Sequence, residues 1–162
     1  MSEPVWLTTE LIIAVHDEQL REFGGPRGIR DRGLLESALG RPQNKWAYGE
    51  RDLAGLAAAY AFGIARNHPF VDGNKRAAFL GLVVFLGLNG IDFVADEAEA
   101  TIIVRDLAAG LVDEDGLQRW IRDNWPGGSK TELAAHTKAS VDKPVALMAA
   151  KPRAKGPSRK PQ

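Results

Sequence analysis

The sequence predicts an all-α fold, on three observations. Apolar residues recur at helical spacing through the first 125 residues, and Thr or Asp starts and Gly or Asn stops divide them into segments. The run from Ala77 to Leu88 is apolar on every face, as befits a helix at the centre of a bundle.

The elements follow in order. Leu7, Leu11, Ile12, Val15, Leu20 and Phe23 lie on one helical stripe, with Thr8 or Thr9 as the cap and Gly24-Gly25 as the stop. Asp31 caps a short helix carrying Leu34, Leu35, Ala38 and Leu39, which is expected to end at Gly40 with Pro42 close behind. Residues 41–51 are read as an ordered loop or a small hairpin. Asp52 caps a helix with Leu53, Leu56, Ala57, Tyr60, Ala61 and Ile64 on one side, running out at Asn67-His68-Pro69. A second long helix begins near Gly73 or Asn74 and ends at Asn89-Gly90. Asp96 and Glu99 stand like a capping box before Ile103, Val104, Leu107 and Leu111. A last helix starts near Asp113, and Trp125-Pro126-Gly127-Gly128 marks the end of the domain.

The chain has 162 residues, 44% hydrophobic and 26% charged, which suits one soluble globular domain with a tail. The 21 basic and 21 acidic residues cancel. The balance hides an asymmetry: residues 126–162 carry eight basic and two acidic groups, so the tail is basic and the body acidic. With five of the nine prolines and no Trp, Tyr or Phe, that tail is expected to be mostly disordered, with a transient helix over 131–150. The absence of cysteine excludes disulfides, thiolate nucleophiles and Cys-based zinc sites. The start, Met-Ser-Glu-Pro-Val-Trp, does not read as a signal peptide, and the longest apolar run falls short of the ~20 residues that span a bilayer. A cytoplasmic protein with no membrane association is expected.

One segment carries chemistry: His68-Pro69-Phe70-Val71-Asp72-Gly73-Asn74-Lys75-Arg76, between the two central helices. An imidazole at the end of the first helix can serve as a general base near neutral pH. Asp72 offers a hard oxygen ligand for Mg²⁺. Gly73 and Asn74 open the next helix, where free N–H groups and the positive dipole end make an anion site. Lys75 and Arg76 add positive charge, unfavourable at a helix start unless an anion compensates it. Phe70 is read as the apolar anchor of the loop. Each residue alone has an ordinary structural reading, as a cap, a turn or a solvated face; the combination points to phosphate. The segment is not a Walker A loop, since the Gly-Lys-Ser/Thr element is missing.

The run H-P-F-V-D-G-N-K-R closely resembles the core motif of the Fic/Doc superfamily, His-x-Phe-x-Asp/Glu-Gly-Asn-Gly/Lys-Arg. Its flanks, with His16, Gly24-Gly25, Gly28-Ile29-Arg30-Asp31, Leu35-Glu36-Ser37-Ala38 and Arg41-Pro42-Gln43, resemble the death-on-curing branch of type II toxin–antitoxin systems. The resemblance spans about residues 5–125, which defines a Fic/Doc domain over 1–125 and leaves 126–162 as the tail. It implies a compact helical bundle with a small β-hairpin flap over the site. It implies a catalytic His68 that deprotonates a protein hydroxyl, and Asp72 holding Mg²⁺ on the phosphates of ATP. Gly73 and Asn74 would form the anion hole, with Lys75 and Arg76 gripping the remaining phosphates. The flap is placed at 41–51, with Asn44 and Tyr48 facing a target segment.

Two departures separate the chain from the adenylylating Fic pattern: Lys75 replaces a Gly, and Phe79 stands where that pattern ends in a second Arg. Both resemble the death-on-curing toxins, in which the nucleotide binds inverted and the γ-phosphate moves. The implied activity is that of a protein kinase acting on elongation factor Tu and halting translation, with AMP transfer as the alternative within the enzyme class. No Glu is followed by Gly or Asn, so the self-inhibitory Ser/Thr-x-x-x-Glu-Gly/Asn motif is missing and the implied brake is a cognate antitoxin. Readings of another class are an inert binding module and a nucleic-acid tether through the basic tail; the intact motif argues against the first, and the lack of aromatics in the tail against stacking on single strands. His16 is read as a partly buried, hydrogen-bonded histidine and His136 as a solvated one. Trp46 either covers the nucleotide site or anchors its loop.

Overall fold

The computed structural model describes residues 2–127. These form six helices: α1 (Thr9–Phe23), α2 (Arg32–Ala47), α3 (Leu53–Asn67), α4 (Asn74–Leu88), α5 (Glu97–Ala109) and α6 (Glu114–Asp123). Among the described residues there is no sheet; the one β-type pairing is an isolated antiparallel bridge between Ile29 and Phe70. No helix is long and apolar enough to cross a membrane. The tail beyond residue 127, the expected helix over 131–150 and His136 lie outside the described residues.

The helix starts follow local chemistry. The side chains of Thr8, Asp31, Asp52, Asp96 and Asp113 each accept a backbone N–H from the first turn of their helix. Asp52 does more. It also takes hydrogen bonds from Gln118 and Arg122, tying the start of α3 to α6. Burial alone would raise the Asp52 carboxyl, but the bonds from Arg122, Ala54 and Gln118 outweigh it and hold the group below the usual carboxylate range.

An antiparallel pair, α3 and α4, forms the core. Nearly every residue from Ala54 to Ala65 and from Ala77 to Leu86 is buried. The abundance of Ala and Gly in α3 lets its neighbours approach closely: a Cβ on Gly63 would stand 3.0 Å from the Cα of Ala38 on α2. Tyr60 of α3 is fully buried, accepting from the N–H of Leu7 at 3.0 Å and so fastening the N-terminal segment to the core. Burial pushes its phenol up to about 12.

One expectation fails. Residues 41–51 form no hairpin, and the loop is only 48–51: α2 continues to Ala47, and Pro42 lies inside it. A proline in a helix interior costs about 3 kcal/mol through its lost N–H and steric clash. Packing offsets that cost here. Leu35, Ala38, Leu39 and Pro42 are buried at i, i+3, i+4 and i+7, so the stripe facing α3 crosses the proline without a break. Farther along, Arg41 and Lys45 both pair with Glu114 at the start of α6. Trp46 is an anchor: it meets Trp6 edge-on at 6.3 Å, and the Arg51 guanidinium lies 3.8 Å above its ring.

Candidate active site

The site starts where α3 stops. His68 is its C-cap and holds a left-handed conformation (φ 50°, ψ 57°), the one non-glycine residue at positive φ among the described residues. Such backbone costs of order 1–2 kcal/mol for an L-residue and persists only where its surroundings hold it. Arg30 supplies that hold: its Nε donates to the His68 carbonyl at 2.7 Å and its Nη2 to the Asn67 carbonyl at 2.8 Å. The His68 side chain is left at the surface.

The chain then turns through Pro69–Gly73 into α4. Phe70 is 1% exposed, as its reading as an anchor requires. Asn74, in the first turn of α4, clips it at both ends: Oδ1 accepts from the Phe70 N–H at 2.9 Å, and Nδ2 donates to the Phe70 carbonyl at 3.0 Å. The Asn74 side chain is therefore occupied, and what it can offer a ligand is its backbone N–H. Gly73, the N-cap of α4, is also left-handed (φ 78°, ψ 21°) and makes no side-chain cap bond. The first N–H groups of a helix have no intrahelical acceptor. With no capping side chain in the way, those of α4 are free to meet an anion.

Charge surrounds this opening. Lys75 is exposed and makes no ion pair among the described residues. Arg76 is half-buried, its guanidinium 5.3 Å from the centre of the Phe23 ring. Burial pulls its pKa below the ordinary arginine value, and the nearby Asp72 charge partly restores it. Asp72 is exposed. No cluster of three His, Cys, Asp or Glu side chains that could hold a metal by itself is found among the described residues. A carboxylate beside an uncapped helix start fits Mg²⁺ in its usual protein setting, one or two carboxylates with the rest of the shell from phosphates and water.

Two neighbours complete the site. Residues 24–31 cross the motif loop: the N–H groups of Arg30 and Asp31 donate to the Pro69 carbonyl at 2.6 and 3.0 Å, and that of Val71 to the Gly28 carbonyl at 3.0 Å. Gly25 comes so near that a Cβ there would stand 2.8 Å from the Asp72 carboxylate. From the other side, His16 of α1 stacks on Phe70, ring centres 3.8 Å apart, with its Nε2 2.7 Å from the Asp72 carbonyl.

His68, Asp72, Gly73, Asn74, Lys75 and Arg76 are thus gathered within one loop and the first turn of α4. Asn44 and Tyr48 are not with them. They lie where α2 ends and α3 has yet to begin, while His68 stands at the far end of α3, about 22 Å away along a 15-residue helix. There they line an open cleft with Arg41, Lys45, Glu50 and Glu114. The placement fails because it rested on the supposed hairpin; the segment that actually borders the motif is 24–31. Chain position hides this, since residues 24–31 and 68–71 meet only through the packing of α2 along α3.

The arrangement is that of a helical protein with an uncapped helix start, a carboxylate and an imidazole at one end of its central helix pair. Comparison with known families gives it a place: the chain belongs to the Fic/DOC family, whose model matches residues 6–86. It is similar to the protein kinase doc of Escherichia phage P1, 34% identical over 117 residues that make up 72% of this chain and 92% of that protein. It is also similar to the toxin Doc of Mycolicibacterium smegmatis, 46% identical over 77 residues, 46% of this chain and 58% of the relative.

Proposed function

We propose that the chain is a death-on-curing toxin that transfers the γ-phosphoryl group of ATP to a hydroxyl of elongation factor Tu and so halts translation. The observation that carries the choice of phosphoryl over AMP transfer is Phe79. It is 3% exposed, part of the core, at the position where the adenylylating pattern has its second arginine. The name of the phage relative, a protein kinase, supports the same choice.

In this reading His68 takes the proton of the target hydroxyl. The hydroxyl oxygen attacks the γ-phosphorus, the bond from that phosphorus to the bridging oxygen breaks, and ADP leaves. The N–H groups of Gly73 and Asn74 stabilise the charge on the transferred group, while Lys75 and Arg76 hold the other phosphates. Mg²⁺, held by Asp72, supplies charge neutralisation on the phosphates when bound. Residues 24–31 take the part of the flap against which a target segment docks. The brake is a cognate antitoxin in trans, since the sequence carries no self-inhibitory Ser/Thr-x-x-x-Glu-Gly/Asn motif.

Intact mass spectrometry of elongation factor Tu after incubation with the protein, ATP and Mg²⁺ tests this. One added phosphate, absent with His68→Ala, is the expected result. One added AMP would establish the adenylylating alternative. No change in the factor, with no labelling of any lysate protein from γ- or α-labelled ATP, would leave a binding module.

A further inference from the structure

We propose that His16 is a positioning residue that keeps the anion hole facing outward by locking the Asp72–Gly73 peptide. The proposal rests on the reading above, that the Gly73 and Asn74 N–H groups receive the transferred phosphoryl group.

The geometry is as follows. His16 lies on α1, outside the motif, and is 2% exposed. A carbonyl oxygen can only accept, so the 2.7 Å contact fixes the hydrogen on Nε2, donating to the Asp72 carbonyl. No peptide among the described residues is cis. In a trans peptide the C=O and the following N–H point to opposite sides. A carbonyl drawn toward α1 therefore turns the Gly73 N–H away from α1, to the side left open at the start of α4.

A lock is needed because of Gly73 itself. Glycine tolerates both signs of φ, so the 72–73 peptide could turn over at little steric cost and present a carbonyl oxygen to an incoming phosphate. That would replace a donor by a repelling dipole. Histidine suits the task because its face and its edge act at once. The ring face rests on Phe70, which Asn74 clips in place, and the ring edge reaches the carbonyl two residues on. The fit is close: a Cβ on Gly73 would stand 3.3 Å from Nε2.

Three variants test this. His16→Phe keeps the ring on Phe70 and removes the donor; His16→Leu serves if Phe does not fold; His16→Gln returns an N–H near the position of Nε2. We expect the Phe variant to stay folded, to lose about 100-fold in kcat at unchanged KM for elongation factor Tu, as small misplacements in a site do, and the Gln variant to recover at least tenfold. The crystal structure of the Phe variant should show the 72–73 peptide turned. A kcat within threefold of native, equal losses in the Phe and Gln variants, or a Phe-variant structure with that peptide unmoved would overturn the proposal. A native protein inert toward the factor would count against the proposed target alone, and the peptide orientation would then decide the role of His16.

Discussion

The two ends of the α3–α4 pair are built on opposite terms. Where α3 begins, polar groups are paired off: Asp52 caps the helix and binds Gln118 and Arg122, and Glu114 holds Arg41 and Lys45. Burial would raise the Glu114 carboxyl, yet Arg41 and Lys45 bring it below the usual range, so both carboxylates there stabilise the fold. Where α3 ends, Lys75 is unpaired among the described residues, α4 starts without a capping side chain, and two residues in a row of six, His68 and Gly73, sit in left-handed backbone. The first end ties its charges into the fold, and the second leaves Lys75 without an ion pair among the described residues.

This contrast can be broken or sharpened. The largest effect expected is from His68→Gly. Transfer should fall about a thousandfold, in the range for a lost general base, while the melting temperature does not drop, because glycine relieves the left-handed backbone. A loss of several degrees would mean that the imidazole belongs to the fold. In the packed body of α3, Gly63→Val should do the reverse. It forces atoms against the Ala38 backbone and should cost about 3 kcal/mol in urea unfolding, with the activity per folded molecule kept. The smallest effect is one of pH. The Tyr60 phenol lies near 12 folded against 10 unfolded, so its contribution is whole below pH 10 and is lost as pH rises toward 12. Two pK units set its ceiling at about 2.7 kcal/mol. Tyr60→Phe should remove that part of the alkaline loss, as read by thermal melts from pH 9 to 12.

Much of both ends was legible in the residues, unevenly. The caps at Thr8, Asp31, Asp52, Asp96 and Asp113 were readable because capping is a contact within three residues. The motif was readable because its members are neighbours in the chain. The course of residues 41–47 was misread by weighting Pro42 over the stripe 35, 38, 39, 42; counting the proline as an apolar member would have carried the helix through. Asn44 and Tyr48 followed that error to the wrong end of the bundle. His16 stood on a helical stripe in plain view, but no spacing rule says that it meets a carbonyl 56 residues away.

The sequence by itself determined the helical class, five of the helix starts and the order His68, Asp72, Gly73, Asn74, Lys75, Arg76, because each depends on contacts within a few residues. Only the tertiary structure decided that 24–31 rather than 41–51 borders the motif, that Arg30 holds the strained turn at His68, and that His16 reaches Asp72. Those depend on how α1 and α2 pack against the central pair, and packing is settled by the sum of many buried contacts that no local pattern records.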